Sequence, residues 1–247
     1  MLNSASFCIN TIKPTKNVIA KNKIVLIIAN TYLNTELELG TPVINDVNLI
    51  TNKFFNHNYQ ILSLIDSNVE TVINWLMFFS KQKFDDFILY YSGHGTLVEN
   101  FTGKMKIGKH SFKLKEDEEI TGKDSAYVFY NYQEKCVEFL VDDIFTELIS
   151  KFKTDVFVIS DCCHSGSVVD ENFKIDSTLH QECTGNLDFI SACNDNQFAL
   201  QNLNNGLFTN HIYNNFTKDV DEIIETFNNE TKSQQARYKC TRKKLYK

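Results

Sequence analysis

Lys23-Ile24-Val25-Leu26-Ile27-Ile28-Ala29 is, after its lysine, an unbroken apolar run rich in β-branched side chains, and it reads as a strand buried on both faces. Such a strand needs covering layers on each side, so helices should flank it. The residues that follow supply them. Thr41-Pro42 resembles an N-cap with proline at the first helical position, and Val43, Val47, Ile50 and Phe54 follow at helical spacing. Residues 59–65 read as a second strand. Ser67-Asn68-Val69-Glu70 has capping-box spacing and opens a second helix through Trp75 and Met77 to about residue 80. Phe87-Ile88-Leu89-Tyr90-Tyr91 and Val156-Phe157-Val158-Ile159-Ser160 repeat the buried-strand pattern. Residues 187–192 add a fifth strand, residues 126–130 a short one, and residues 142–151 a helix. Strands alternating with helices predict an α/β sandwich on a mostly parallel sheet. Residues 96–123 are polar and mixed in charge, and are expected as a surface insertion containing a hairpin.

The 247 residues are 43% hydrophobic and 23% charged, the proportions of a globular protein with a sizeable core. With two prolines and no Pro/Ser-rich linker, one domain is expected over residues 21–235. Residues 1–20 are then an N-terminal extension. Residues 236–247 are a basic tail whose Arg242, Lys243, Lys244 and Lys247 form a solvated end. A net charge of -6 argues against a nucleic-acid binder working through broad phosphate contacts. No signal-peptide core and no apolar run of roughly 18 residues are present, so neither secretion nor a membrane partner is expected. Seven cysteines, two of them adjacent (Cys162 and Cys163), do not make a disulfide framework, which points to the reducing cytoplasm or nucleus. The sequons at Asn100, Asn215 and Asn229 are read as accidents of an Asn-rich composition.

In such sheets ligands sit beyond the carboxyl ends of the strands. Two strands end in chemistry there: Ser92-Gly93-His94-Gly95 and Asp161-Cys162-Cys163-His164-Ser165-Gly166. A thiol attacks as its thiolate, so a nucleophilic cysteine needs a base nearby and an exposing loop. Cys163 has the loop, and His94, between two glycines, has an uncrowded imidazole. If the strands are neighbours, about 4.8 Å apart, both side chains face one cleft. The backbone N–H groups of Gly95 and Cys163 would then serve an oxyanion. Cys162, His164, Cys193 and His211 are left as structural residues, and a zinc site on residues 162–164 is rejected because adjacent ligands cannot easily share one tetrahedral metal.

The two boxes, Tyr91-Ser92-Gly93-His94-Gly95 and Asp161-Cys162-Cys163-His164-Ser165-Gly166, resemble the paired histidine and cysteine boxes of the metacaspases. Leu39-Gly40 with Val43-Ile44-Asn45-Asp46-Val47 resembles the family's early pocket motif. Ile190-Ser191-Ala192-Cys193 with Asp195 and Gln197, then Gly206-Leu207-Phe208-Thr209, resembles the segment after the cysteine box. Residues 23–216 are covered. The resemblance implies the caspase-type three-layer α/β fold and a His94–Cys163 dyad. It also implies cleavage of protein or peptide substrates after Arg or Lys, in a pocket of Asp46, Asp161 and Ser92. Two carboxylates suit a guanidinium or ammonium and repel an aspartate.

The resemblance further implies monomeric action, self-processing, and calcium held by Asp142, Asp143, Asp170 and, as a looser match, Asp124. Such oxygen-rich clusters are what Ca²⁺ requires, although Asp142 and Asp143 also suit a helix N-terminus. The basic insertion, residues 104–115, is the expected self-cleavage segment. Val43 stands where metacaspases often have cysteine, Asn131 where aspartate is common, and Thr41-Pro42 is closer to prokaryotic-type and paracaspase-like relatives. Two alternatives accompany this reading: a legumain-like transamidase, and a caspase-fold regulatory protein with vestigial activity.

Overall fold

The computed structural model describes residues 6–99, 102–114, 123–163, 186–194, 197 and 199–247. In chain order its elements begin with β1 (Ser6–Cys8), β2 (Lys23–Ala29), α1 (Thr41–Phe55), β3 (Gln60–Ile65), α2 (Val69–Phe79) and β4 (Asp86–Ser92). Next come β5 (Gly95–Glu99), β6 (Gly103–Ile107), β7 (His110–Leu114), β8 (Lys123–Asn131), β9 (Cys136–Val141) and α3 (Asp142–Ser150). The chain closes with β10 (Val156–Asp161), β11 (Leu187–Ser191), α4 (Leu207–Asn214), α5 (Val220–Glu230) and β12 (Arg237–Lys239).

Seven strands form one sheet in the order β1-β3-β2-β4-β10-β11-β12, parallel except for β12, which runs antiparallel to β11. The two-residue period of β2 divides its side chains between two cores. Ile24, Leu26 and Ile28 pack beneath Trp75 and Phe79 of α2 and Phe145 and Leu148 of α3. Val25, Ile27 and Ala29 pack against Val47 and Phe54 of α1 and against Phe208 and Phe227 of α4 and α5. The architecture is therefore a three-layer α/β sandwich. Each fully buried Leu, Ile or Phe contributes roughly 1.5–3 kcal/mol of burial free energy. A second, three-stranded sheet (β5-β8-β9) and the β6–β7 hairpin cover the α2–α3 face. Among the described residues no helix is long and apolar enough to cross a membrane.

Several expectations need correction. The cap of α1 is Gly40, at φ 63°, rather than Thr41; a backbone in that region favours glycine, so Thr41 becomes the first helical residue. The cap of α2 is Asn68, whose Oδ1 accepts from Thr71 N–H at 2.9 Å, rather than Ser67 one residue earlier. The basic tail is not a solvated end. Arg237–Lys239 forms the sheet edge, Leu245 is fully buried, and Tyr246 stacks on Phe216. Arg242 donates to Asp86 Oδ1 at 2.7 Å and lies 4.5 Å above the Phe157 ring. Buried carboxylates on Asp86 and Asp188 near the starts of two strands require a cation, and a reading of the tail's own composition cannot see them. Residues before 21 also join the fold, through the pairing of Ser6–Cys8 with β3 and the burial of Ile9. The insertion is a true hairpin but not wholly exposed. Lys104, Lys106 and Lys113 point to solvent while Phe112 and Leu114 enter the core.

Candidate active site

The chain leaves β2 for β3 on one side and reaches β4 on the other, so the crevice beyond the strands' carboxyl ends opens at β2 and β4. Register then decides which side chains enter it. Ser92, the last residue of β4, pairs with Ala29 of β2 and with Asp161 of β10. His94 and Cys163 each lie two residues past this pair. Strand alternation therefore turns Ser92, Asp161 and Cys163 to one face and sends Cys162 to the other, into the core with Val156 and Val158. His94, Cys163, Asp46, Ser92, Asp161 and Gly206 all line one cavity of about 120 Å³. A space that small holds one side chain rather than a whole ligand.

Cys163 is half-buried, and its Sγ accepts from Ala199 N–H at 3.3 Å. Burial pushes the thiol up, the Ala199 N–H opposes this, and the nearby Asp161 adds to the rise. The resting group is thus a thiol that needs a base. The imidazole of His94 lies with Nε2 2.8 Å from Leu37 O. A carbonyl only accepts, so Nε2 carries the hydrogen, and in the neutral ring Nδ1 keeps the lone pair. Cys162, by contrast, is fully enclosed, and burial drives its thiol well above the usual range. Gly95 has no room for a side chain, because a Cβ there would overlap Cys163 O. It faces Tyr127 one step beyond the Val128 N–H to His94 O bond, so its own N–H turns away from β8.

Two carboxylates form the floor. Asp46 Oδ1 accepts from Gly206 N–H at 3.0 Å and from Asn205 Nδ2 at 3.4 Å, while Asp46 Oδ2 accepts from Ser92 Oγ at 3.4 Å. Asp161 Oδ2 accepts from Thr209 N–H at 3.0 Å and from Thr209 Oγ1 at 2.6 Å. Both therefore sit at the N-terminus of α4, whose N–H groups favour negative charge. Even so, burial and then the Asp161 charge push Asp46 up to about 8, and burial raises Asp161 as well. Two buried carboxylates this close each disfavour the other's charge. Asp46 is only 3% exposed, which excludes a merely solvated helix position.

The aspartates expected to hold calcium are described only in part. Asp124 and Asp142 are buried, and Asp143 half-buried, on β8 and the first turn of α3. Asp142 spends its oxygens on Ser125 N–H (3.0 Å) and Asp143 N–H (2.9 Å). The three do not bring ligand atoms within 4.8 Å of one another; among the described residues only Glu134, Cys136 and Glu138 do so. Asp170, His164, Ser165, Gly166, Asp195 and Lys115 lie outside the described residues. Asp124, Asp142 and Asp143 alone do not gather the six to eight oxygens that Ca²⁺ takes, and Asp170, the fourth expected ligand, is not among the described residues.

Sequence reading gave no role to several residues that the fold brings here. Leu37 offers only a backbone carbonyl, which no side-chain pattern reveals. Gly206 and Thr209 belong to a stretch already noted for its likeness, yet their bonds to Asp46 and Asp161 span 160 and 48 residues.

Comparison with known proteins agrees with this fold. The sequence model of the caspase-domain family matches residues 22–245. Among solved structures, a Geobacter sulfurreducens structural-genomics protein shares the fold, with TM-score 0.63 and 19% identity over 88% of this chain and 92% of that one. Caspase-1 from Spodoptera frugiperda shares it with TM-score 0.52 and 10% identity over 91% of each chain. At these identities the likeness is one of fold. No curated protein matches the chain. With a family match across nearly its whole length and the caspase-type sandwich in place, the chain belongs to the caspase-domain family of cysteine peptidases.

Proposed function

We propose that the protein is a metacaspase-type endopeptidase that hydrolyses the bond after Arg or Lys, with Cys163 as nucleophile and His94 as base. One observation carries this reading: a single cavity joins Cys163 and His94 to two buried carboxylates, with no lysine or arginine among its described lining residues. A substrate guanidinium or ammonium entering there donates charge-assisted hydrogen bonds to Asp46 and Asp161. The cation offsets the repulsion between the two carboxyl groups, whereas an aspartate would add to it.

The chemistry follows from the side chains present. His94 Nδ1 takes the Cys163 proton, and the thiolate adds to the scissile carbonyl carbon. The N–H groups of Gly95 and Cys163 are the donors for the resulting oxyanion, each worth roughly 3–4 kcal/mol in such sites. The C–N bond then breaks, the imidazolium gives its proton to the departing amine, and water hydrolyses the thioester with His94 again as base.

Monomeric action in a reducing compartment and calcium stimulation join the proposal on the family resemblance, and no step above passes through the ion. Self-cleavage inside the β6–β7 hairpin requires the hairpin to open first, because a cleft of this kind takes unpaired chain. Fluorogenic peptides ending in Arg, Lys, Asn or Asp, with and without Ca²⁺, test the specificity. Turnover of the Arg and Lys peptides alone supports the proposal, and efficient cleavage after Asp or Asn overturns it.

A further inference from the structure

We infer that Tyr32 is a positioning residue for the catalytic histidine, its hydroxyl inserted into the β5–β8 ladder between His94 and Val128 and its ring backing the imidazole. The inference rests on the proposed role of His94 as base.

The ladder shows the insertion. His94 stands opposite Val128, one step beyond the Gly95–Tyr127 pair. Residues so placed in a hydrogen-bonded antiparallel pair exchange two N–H to O bonds. Val128 N–H does donate to His94 O, at 3.0 Å. The return bond is missing, and Tyr32 takes its place. His94 N–H donates to the Tyr32 hydroxyl at 2.8 Å, and that hydroxyl donates to Val128 O, also at 2.8 Å. Two links where a ladder has one hold the His94 amide off Val128 O, while the His94 carbonyl keeps its direct 3.0 Å bond to β8.

The same tyrosine reaches the histidine by two further routes. Its ring centroid is 4.9 Å from the imidazole, at 37°. Its carbonyl accepts from Thr35 N–H at 3.1 Å and from Thr35 Oγ1 at 2.7 Å, and Thr35 Oγ1 in turn accepts from Leu37 N–H at 3.2 Å. That turn presents Leu37 O to His94 Nε2 and so fixes the tautomer.

Tyr32 is itself held firmly. It is fully buried, at φ 52°, a left-handed conformation uncommon outside glycine, and Asp66 Oδ1 accepts its N–H at 3.1 Å. The space around the hydroxyl is spoken for: a Cβ on Gly93 would stand 2.9 Å from it and 2.8 Å from the Tyr91 hydroxyl. The glycine before His94 is thereby explained by the two tyrosines rather than by substrate.

Tyr32→Phe keeps the ring and removes the insertion, letting His94 N–H close directly on Val128 O. A shift of that kind, of the order of 1 Å, lowers kcat by roughly tenfold to a hundredfold while KM stays within about twofold. The rate of Cys163 alkylation by iodoacetamide at neutral pH should fall in parallel, and the His94 Nε2–H proton resonance should move. Unchanged kcat and alkylation rate in the folded Tyr32→Phe protein overturn the inference. If that variant does not fold, Thr35→Ala decides: lower kcat at unchanged KM and melting temperature supports the clamp, and unchanged kcat overturns it. His94→Ala separates the two claims, since an active His94→Ala protein refutes the base itself rather than its positioning.

Discussion

Gly206→Ala tests the acidic pocket through one added methyl group. The backbone at Gly206 is extended, φ -61° and ψ 137°, so alanine fits it without strain and the damage is confined to the pocket. The new Cβ overlaps Asp161 Oδ2 and comes within 3.1 Å of Asp161 Cγ and of Asp46 Oδ2. Asp161 cannot swing aside freely, because Thr209 holds it through two hydrogen bonds. Retreat by the roughly 1 Å needed to restore contact distance breaks that alignment, and a displacement of this size costs about a hundredfold in rate. That is about 2.7 kcal/mol of transition-state binding. The assay is kcat/KM on an Arg-ending fluorogenic peptide, with Cys163 alkylation by iodoacetamide as a control that should stay near wild type. A Gly206→Ala enzyme with wild-type kcat/KM would refute the reasoning, since no substrate side chain could then be passing Gly206 to reach the two carboxylates.

Asp46 yields a pH prediction. Its carboxyl is pushed from 3.8 to about 8, so between those values the folded state holds a proton that the unfolded chain has released. Stability is then fullest at the acid end and is lost as pH rises toward 8; Asp46→Asn should flatten the fall in Tm, and parallel slopes in both proteins would contradict the assignment. Arg242→Met strands the buried Asp86 and Asp188 carboxylates, and should cost about 3–5 kcal/mol, or roughly 6–20 °C in Tm. A shift below about 2 °C would mean that the tail contributes little. For calcium, titration calorimetry is the cleaner readout: heat on binding that disappears in Asp143→Ala supports the family-based proposal, and no heat with full activity in chelator removes it.

What the sequence could reveal follows from which contacts are local. The strands at residues 23–29, 87–91 and 156–160 were legible because burial on both faces leaves an unbroken apolar run. Cys136–Val141 was not, since as an edge strand it buries only its last two residues and shows no clean alternation. Three-residue strands such as Arg237–Lys239 carry too little pattern, and α4 and α5 were left unassigned although their buried faces complete the second core. The proposed dyad could be named from strand-end motifs, and the proposed acidic pocket from the family resemblance, with Asp46 on α1 rather than at a strand end. Strand parity, which buries Cys162 and turns the half-buried Cys163 to the cavity, favours Cys163, and no motif spells that parity out. Tyr32 had no signature at all, because its importance lies in a positive φ and in partners 62 and 96 residues away.

The central claim is that Cys163 attacks a carbonyl whose preceding side chain is a cation seated on Asp46 and Asp161. Covalent capture tests both halves at once. An arginyl acyloxymethyl ketone loses its carboxylate to an attacking thiolate and leaves a thioether, which peptide mass spectrometry assigns to one cysteine. The account predicts stoichiometric labelling of Cys163, none of Cys162, and a rate at least about tenfold lower in Asp46→Asn, the loss of one charge-assisted hydrogen bond. Labelling at Cys162, or equal rates for the arginyl and aspartyl reagents, would contradict it.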